Sequence, residues 1–278
     1  VTSSTKSIID LVQVKLKSED EVLCLYVDMK HASVREAAEI MALNIAERRL
    51  GMYAVFHRAW SDLHDGGNSS NITVAQSTMF DVLLLVDIGT RIKPKPDEQF
   101  RGFVAEQLFT ELVHKVDFGI GLPEHYEGHD YSAIDPGGDG LAFHRVNGSL
   151  CFRLWESKYH SDTSSSKSIV NKASKQIRER GASYLARWSI AAQRMSIPTD
   201  IAVFYAKLVE LWVNKDPSAG AGITVSTSLH AGTNNPFSDM ASEIDLESGN
   251  HHGQLNTIDT FELFADEVRE HLWKGCGL

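Results

Sequence analysis

Asp139, Glu156 and Lys158 are the residues whose types and spacing best suit chemistry in this chain. The segment between the two acids reads as two strands around a tight turn: Gly140 to Val146, then Asn147-Gly148, then Ser149 to Trp155. Asn-Gly between apolar-rich runs is a strong hairpin signal, because both central residues of the favoured turn take φ > 0. A two-residue loop pairs Val146 with Ser149 and, counting outward, sets Asp139 opposite Glu156, with Cβ atoms about 4.5–5.5 Å apart. Glu156 and Lys158 are two apart on a strand and share a face. Two carboxylates and an ammonium therefore meet at one strand end. That set suits a divalent cation held by Asp139 and Glu156, with Lys158 acting on a water. The competing reading is an exposed cross-strand ion cluster of the kind sheet edges carry. Leu150, Phe152 and Leu154 on the same face argue for burial, and directly opposed like charges destabilise a hairpin unless something neutralises them.

A third acid comes from a predicted helix beginning at Asp97 or Glu98 and reaching about Lys115, with Asp97 as candidate N-cap. Phe100, Phe103, Val104, Leu108 and Leu112 line one side of it. Glu106 lies midway, four residues after Gly102, whose missing side chain leaves the adjoining surface open to another element or to substrate. Alone, Glu106 reads as a solvated helix-face glutamate. Beside two acids short of a ligand, it becomes the assisting one. Magnesium (or manganese) takes oxygen ligands and keeps several waters, so two or three carboxylates suffice to hold it beside a phosphate. The set therefore suits phosphodiester hydrolysis.

A long helix is predicted from about Ile169 to Met195, stopped by Pro198, with Val170, Ala173, Ile177, Gly181, Tyr184, Trp188 and Met195 on its apolar face. Lys172, Gln176, Arg180, Arg187 and Arg194 fall along one flank. From Lys167 to Arg194 there are seven basic residues against one acid, Glu179. A solvated flank is the usual meaning of such a stripe, but the single sign favours phosphate contact. Lys172, Gln176 and Arg180, nearest the hairpin, are the candidate nucleic-acid contacts.

The chain has 278 residues, 42% of them apolar, enough for one large domain or two modest ones. Its net charge of −10 argues against a protein coated in basic residues, though not against a local basic patch. No apolar run approaches the roughly 20 residues of a membrane span, and the first residues lack signal-peptide architecture. Cys24, Cys151 and Cys276 have no close spacing, which fits a reducing cytoplasm and makes a cysteine zinc site improbable.

Val22 to Val27 reads as a buried strand and Ala32 to Leu50 as a helix. Residues 64–71 read as a loop, and Met79 to Ile88 is ambiguous between helix and strand. Lys93-Pro94-Lys95-Pro96 is the expected boundary between an N-terminal α/β region (1–92) and a second domain (97–278). Residues 119–138 read as irregular, 161–168 as a loop, 201–214 as a helix, 223–228 as a strand, 230–256 as loop-rich and 260–273 as a helix. Three weaker signals remain. His125 and His129, with Glu124 and Asp130, have metal spacing but a Pro and a Gly beside them; His251-His252 is placed in a loop; Ser218 to Gly222 reads as a flexible connector lacking a phosphate-loop ending.

Glu106, Asp139 and Glu156-Ser157-Lys158, in that order, resemble the PD-(D/E)xK nuclease superfamily over residues 98–195. More narrowly, Arg101 to Glu106, Gly138 to Phe143 and Leu154 to Tyr159, with the Val34-Arg35-Glu36 helix, look like the HamA nucleases of the Hachiman anti-phage defence system. The resemblance implies a restriction-endonuclease-like core with a central mixed sheet flanked by helices. It also implies a metal-dependent DNase of little sequence preference, restrained by a HamB-type helicase partner until invading or damaged DNA is sensed. Two rivals stand beside it: a non-catalytic DNA-binding or regulatory subunit, and a sequence-specific restriction endonuclease.

Overall fold

In the computed structural model, residues 6–51, 54–128, 138–161, 165–192, 198–228 and 235–278 are described. Their strands are β1 (Val12–Glu19), β2 (Val22–Met29), β3 (His125–Gly128), β4 (Gly140–Val146), β5 (Ser149–His160), β6 (Ala219–Ser228) and β7 (His251–Ile258). They form one seven-stranded sheet in the order β1-β2-β7-β6-β5-β4-β3. The middle of it, β2-β7-β6-β5, is parallel, and antiparallel pairs β1-β2 and β3-β4-β5 finish its two sides. The helices are α1 (Val34–Leu50), α2 (Ala54–His64), α3 (Val74–Phe80), α4 (Val86–Ile88), α5 (Asp97–Val113), α6 (Lys167–Ala192), α7 (Thr199–Tyr205), α8 (Leu208–Val213), α9 (Met240–Glu243) and α10 (Phe261–Gly275).

Parallel strands need helices on both faces to bury them. One core joins α1, α2, α5 and α10 to the sheet through Met41, Trp60, Phe109, Trp155 and Phe264. The other joins α6 to α9 through Ile177, Tyr184, Tyr205, Trp212 and Met240 against Phe152, Leu154 and Val225. The chain is thus an α/β protein with a mixed sheet flanked by helices. The Pro94/Pro96 break separates α4 from α5 without dividing the sheet: β2 pairs with β7, and the first core includes α1 and α10 together.

Several segments differ from expectation. Met79 to Ile88 is helical, with a wide turn of π-helix at Asp81–Leu85 between α3 and α4. Asp97 is the first residue of α5 rather than its cap, because Arg269 on α10 takes its carboxylate at 2.9 Å. Residues 201–214 are two helices, interrupted at Ala206 and Lys207. His125–Gly128, inside the segment read as irregular, forms edge strand β3.

The larger corrections are β6 and β7. Residues 219–222, read as connector, begin β6 in mid-sheet. Their smallness answers bulky neighbours: a Cβ on Gly220 would lie 2.4 Å from the Arg153 side chain, and one on Gly222 2.3 Å from the Trp155 ring. His251-His252 sits in β7, not in a loop, and both rings are buried. His251 contacts the Ile244 carbonyl at 2.7 Å, and His252 Nδ1 accepts from Arg153 Nε at 3.2 Å.

Buried imidazoles give the fold a measurable acid response. Burial lowers the pKa of His144 to about 4, its bond to the Gly121 carbonyl only partly offsetting the effect. The unfolded chain therefore binds this proton first, and the stability contributed by neutral His144 is lost as pH falls from about 6.5 towards 4. Carboxylates in the site below shift the other way, so the contribution is isolated by difference. Wild type should lose about 2 kcal/mol relative to a His144→Gln variant between about pH 7 and pH 5. Urea denaturation at the two pH values measures it, and parallel profiles for the two proteins would count against a neutral buried ring.

Candidate active site

The hairpin has the register its turn demands. Asn147 and Gly148 have φ of 51° and 84°, and pairs run from Val146↔Ser149 out to Gly140↔Trp155. Asp139 follows at the next step, in a bend where the ladder has ended. Its Oδ2 accepts from the Ser157 backbone N–H at 2.6 Å, replacing the partner that β4 no longer supplies. β5 continues to His160 paired with β6 alone. Leu154 on the α6 side of β5 is fully buried, and Glu156, next on that face, is 1% exposed.

Glu156 is held on every side. Its Oε1 accepts from Gln176 Nε2 at 2.7 Å and is ion-paired with Lys158 Nζ. Its Oε2 accepts from the Gly138 backbone N–H at 3.4 Å, a position where Gly138 has φ of 73°. Tyr184 Oη lies 3.2 Å from Gln176 Nε2. Glu106 reaches the same strand end from the other face of the sheet, on α5, whose Phe109 packs on Trp155 with ring centroids 4.7 Å apart. No side chain or backbone lies within 4 Å of where a Gly102 Cβ would be, so the surface before Glu106 is open.

Burial dominates the charges here. It raises the Glu156 pKa to about 7, Asp139 adding to the rise while Lys158 and the Gly138 N–H oppose it. Burial also raises Asp139, against Lys158 and the Ser157 N–H. Glu106 stands well above the usual carboxylate range, through burial first and then Asp139, with Arg49 opposing. Burial pulls Lys158 down, but Glu156 and Asp139 outweigh it, and its pKa ends raised. A protonated lysine beside two carboxylates reluctant to ionise, with a third near them, is an arrangement that an added cation would stabilise.

The three carboxylates are neighbours without being a closed ligand cage. Among the described residues, the one group of three side chains whose ligand atoms all lie within 4.8 Å of one another is Glu39, His64 and His271. These residues, on α1, α2 and α10, have no sequence signal, because only tertiary packing joins helices so far apart in the chain.

On α6, Gln176 faces Glu156, while Lys172 and Arg180 lie exposed one turn to either side. Neither of these two makes an ion pair among the described residues. The one-signed stripe is less bare than its composition suggests: Lys167 pairs with Asp239 at 2.8 Å, Lys175 with Glu179 at 3.9 Å, and Arg178 with Glu243. Asp239 and Glu243 arrive from the α9 turn, which a count along α6 cannot include. Arg187 is exposed; Arg194 and Met195 lie outside the described residues. If Lys172 and Arg180 hold phosphates, a Lys172→Ala/Arg180→Ala variant should flatten the slope of log affinity against log salt by about one to two units. Fluorescence anisotropy with a labelled duplex measures the slope, and an unchanged value removes this flank from DNA contact.

The other candidates recede. Glu124 pairs with Arg145 at 2.9 Å and His125 with Glu127 at 3.0 Å; His129 and Asp130 lie outside the described residues. All three cysteines are buried and free. Among the described residues no helix is long and apolar enough to cross a membrane. In comparisons with known proteins, no family model and no curated protein matches this chain.

Proposed function

We propose that the chain is a metal-dependent nuclease that hydrolyses DNA phosphodiester bonds with little sequence preference, built on a restriction-endonuclease-like core. The observation that carries the reading is Glu156: a buried carboxylate clamped by Lys158, Gln176 and the Gly138 N–H, with Asp139 at its side.

An oxygen-only donor set fits a hard cation such as Mg²⁺ or Mn²⁺. Asp139 Oδ1 and the Glu106 carboxylate have no hydrogen bond among the described residues, which leaves them as donors. Asp139 and Glu156 would hold the ion, with Glu106 assisting. When bound, it polarises a phosphoryl oxygen and acidifies a water.

The chain's own groups do the rest. The Ser157 N–H and Gln176 fix the carboxylates in place, from the strand and from α6 respectively. Lys158, kept protonated by its two acids, orients the attacking water and sets positive charge where the phosphate becomes more negative. Lys172 and Arg180 grip the backbone to either side.

The three carboxylates do not form a closed ligand set as they stand, so the reading requires one of them to move when an ion binds. The resemblance to HamA supplies the setting: an anti-phage effector restrained by a helicase subunit. The test is supercoiled plasmid incubated with Mg²⁺ and the chain, alone and with a HamB-type helicase. Nicks and then a smear are expected, discrete fragments would favour a restriction endonuclease, and an RNA arm reports substrate class. Cleavage that persists in excess chelator overturns the metal role. DNA binding without cleavage in both arms leaves the non-catalytic subunit.

A further inference from the structure

Away from the hairpin, three helices meet with their turns in step. On α10, Gly275 lies against Trp60 of α2 so closely that a Cβ would come within 2.0 Å of the indole. One turn back along α10 and one turn forward along α2, His64 Nε2 and His271 Nδ1 face each other at 3.0 Å. Two turns back from Gly275 on α10, Glu267 pairs with Arg35 of α1 at 3.2 Å. One turn further along both helices come Glu39 and His271, and the ligand atoms of Glu39, His64 and His271 all lie within 4.8 Å of one another.

We propose that Glu39, His64 and His271 form a zinc site that staples α1, α2 and α10 together, distinct from the carboxylate site. Two imidazoles and one carboxylate are the donors of a three-ligand zinc site with its fourth position open to water. At Zn–N and Zn–O lengths of about 2.0–2.2 Å, tetrahedral ligands stand roughly 3.3–3.5 Å apart. The two facing nitrogens already stand close to that, and Glu39 has to move little. The chemistry differs from the hairpin acids, whose oxygen-only set suits magnesium.

The surroundings support a ligand role. Metal-bound histidines commonly turn their second nitrogen to a carboxylate, and His64 Nδ1 lies 3.5 Å from Asp65 Oδ1. That nitrogen is buried and has no hydrogen-bond partner, while Trp60 stacks on the same ring with centroids 5.1 Å apart. Without metal, one facing nitrogen donates its proton to the other. Zinc needs lone pairs on both, which a tautomer shift provides: His64 keeps its proton on Nδ1, towards Asp65, and His271 keeps its own on Nε2. The tautomer shift itself releases no proton. Glu39 is exposed and His271 half-buried, so the site opens to solvent.

Calorimetric titration of the chelator-stripped full chain with ZnCl₂, repeated on variants, tests this. One zinc per chain is expected, with a higher Tm, and Co²⁺ should give the visible absorption of a four-coordinate site. Glu39→Gln and His271→Asn change exposed or half-buried positions and should keep the circular dichroism of wild type. Each should weaken zinc at least tenfold, Asp65→Asn should weaken it less, and Glu156→Gln should leave it unchanged. Failure of the wild type to bind zinc overturns the proposal. So does loss of zinc in Glu156→Gln with retention in the Glu39→Gln/His271→Asn double variant, which would place the ion at the carboxylate site.

Discussion

Glu156→Ala and Lys158→Ala are each expected to lower plasmid cleavage by a factor of about 10²–10³ or more, the scale seen when one preorganised electrostatic group is removed from a dry site. The reasons differ. Glu156→Ala deletes the carboxylate on which Lys158, Gln176 and the Gly138 N–H converge, so it removes a candidate ion ligand and frees the lysine. Lys158→Ala leaves the acids but strips away the positive side chain that eases the burial of Asp139 and Glu156. The metal then has more charge to neutralise, and activity should be lost even where metal affinity rises. Glu156→Gln separates charge from shape: it keeps the side chain's size without the negative charge, turns an NH2 towards donors at one of the two oxygen positions, and should be as inactive as alanine. Cleavage rates at saturating Mg²⁺, with circular dichroism to confirm folding, decide the matter. A Lys158→Ala protein within tenfold of wild type would remove the lysine from the mechanism.

The largest effect on stability is expected at Trp155. Its ring is 1% exposed and lies among Phe109, Phe118 and His252, at centroid distances of 4.7, 5.1 and 6.4 Å, above the bare backbone of Gly222. Trp155→Ala should destabilise by about 3–5 kcal/mol, the usual range for emptying an aromatic site in a core. Set against total stabilities of about 5–15 kcal/mol, that leaves a marginal fold. Trp155→Phe should lose much less, because it keeps most of the packing and removes an indole N–H that has no hydrogen-bond partner. Gly222→Ala drives a methyl into the same ring, so combining it with Trp155→Phe should destabilise less than the two changes added separately. Urea midpoints for wild type and the four variants measure this. A loss below about 1 kcal/mol in Trp155→Ala would show a core that repacks freely around the gap.

What can be read directly from the chain is mostly local. Asn147-Gly148 sets the hairpin register because turn chemistry alone determines it. The spacing of Glu156 and Lys158 puts them on one face because a strand alternates. The missed elements are those written by distant partners. β7 reads as a loop because its buried positions are polar: Asn256 donates across to Thr224 and Ser226 of β6 at 3.3 and 3.1 Å, and Gln254 donates along β7 to Asn256 at 2.7 Å, so hydrogen bonds replace apolar contacts. Gly253 is small because a Cβ would meet the Phe237 ring at 2.6 Å. Gln176 reads as a substrate contact, and its Nε2 also donates to Glu156, twenty residues back in sequence. Nothing in the helical pattern of α6 says which strand end that turn will face.

β5 outruns its hairpin partner, and this has a consequence for the order in which the site assembles. Asp139 and Glu156 are brought together by a local hairpin, the kind of contact that closes in about 1–10 μs. The pairing of β5 with β6 and of β6 with β7 joins segments far apart in the chain and carries a larger loop-closure entropy. During synthesis the hairpin is made while both of its later neighbours are still missing. The two acids then stand in water, and their full desolvation arrives only when α6 and the later strands pack over them. The hairpin that joins the acids is thus an early, local product, and their buried environment a late one supplied by distant segments.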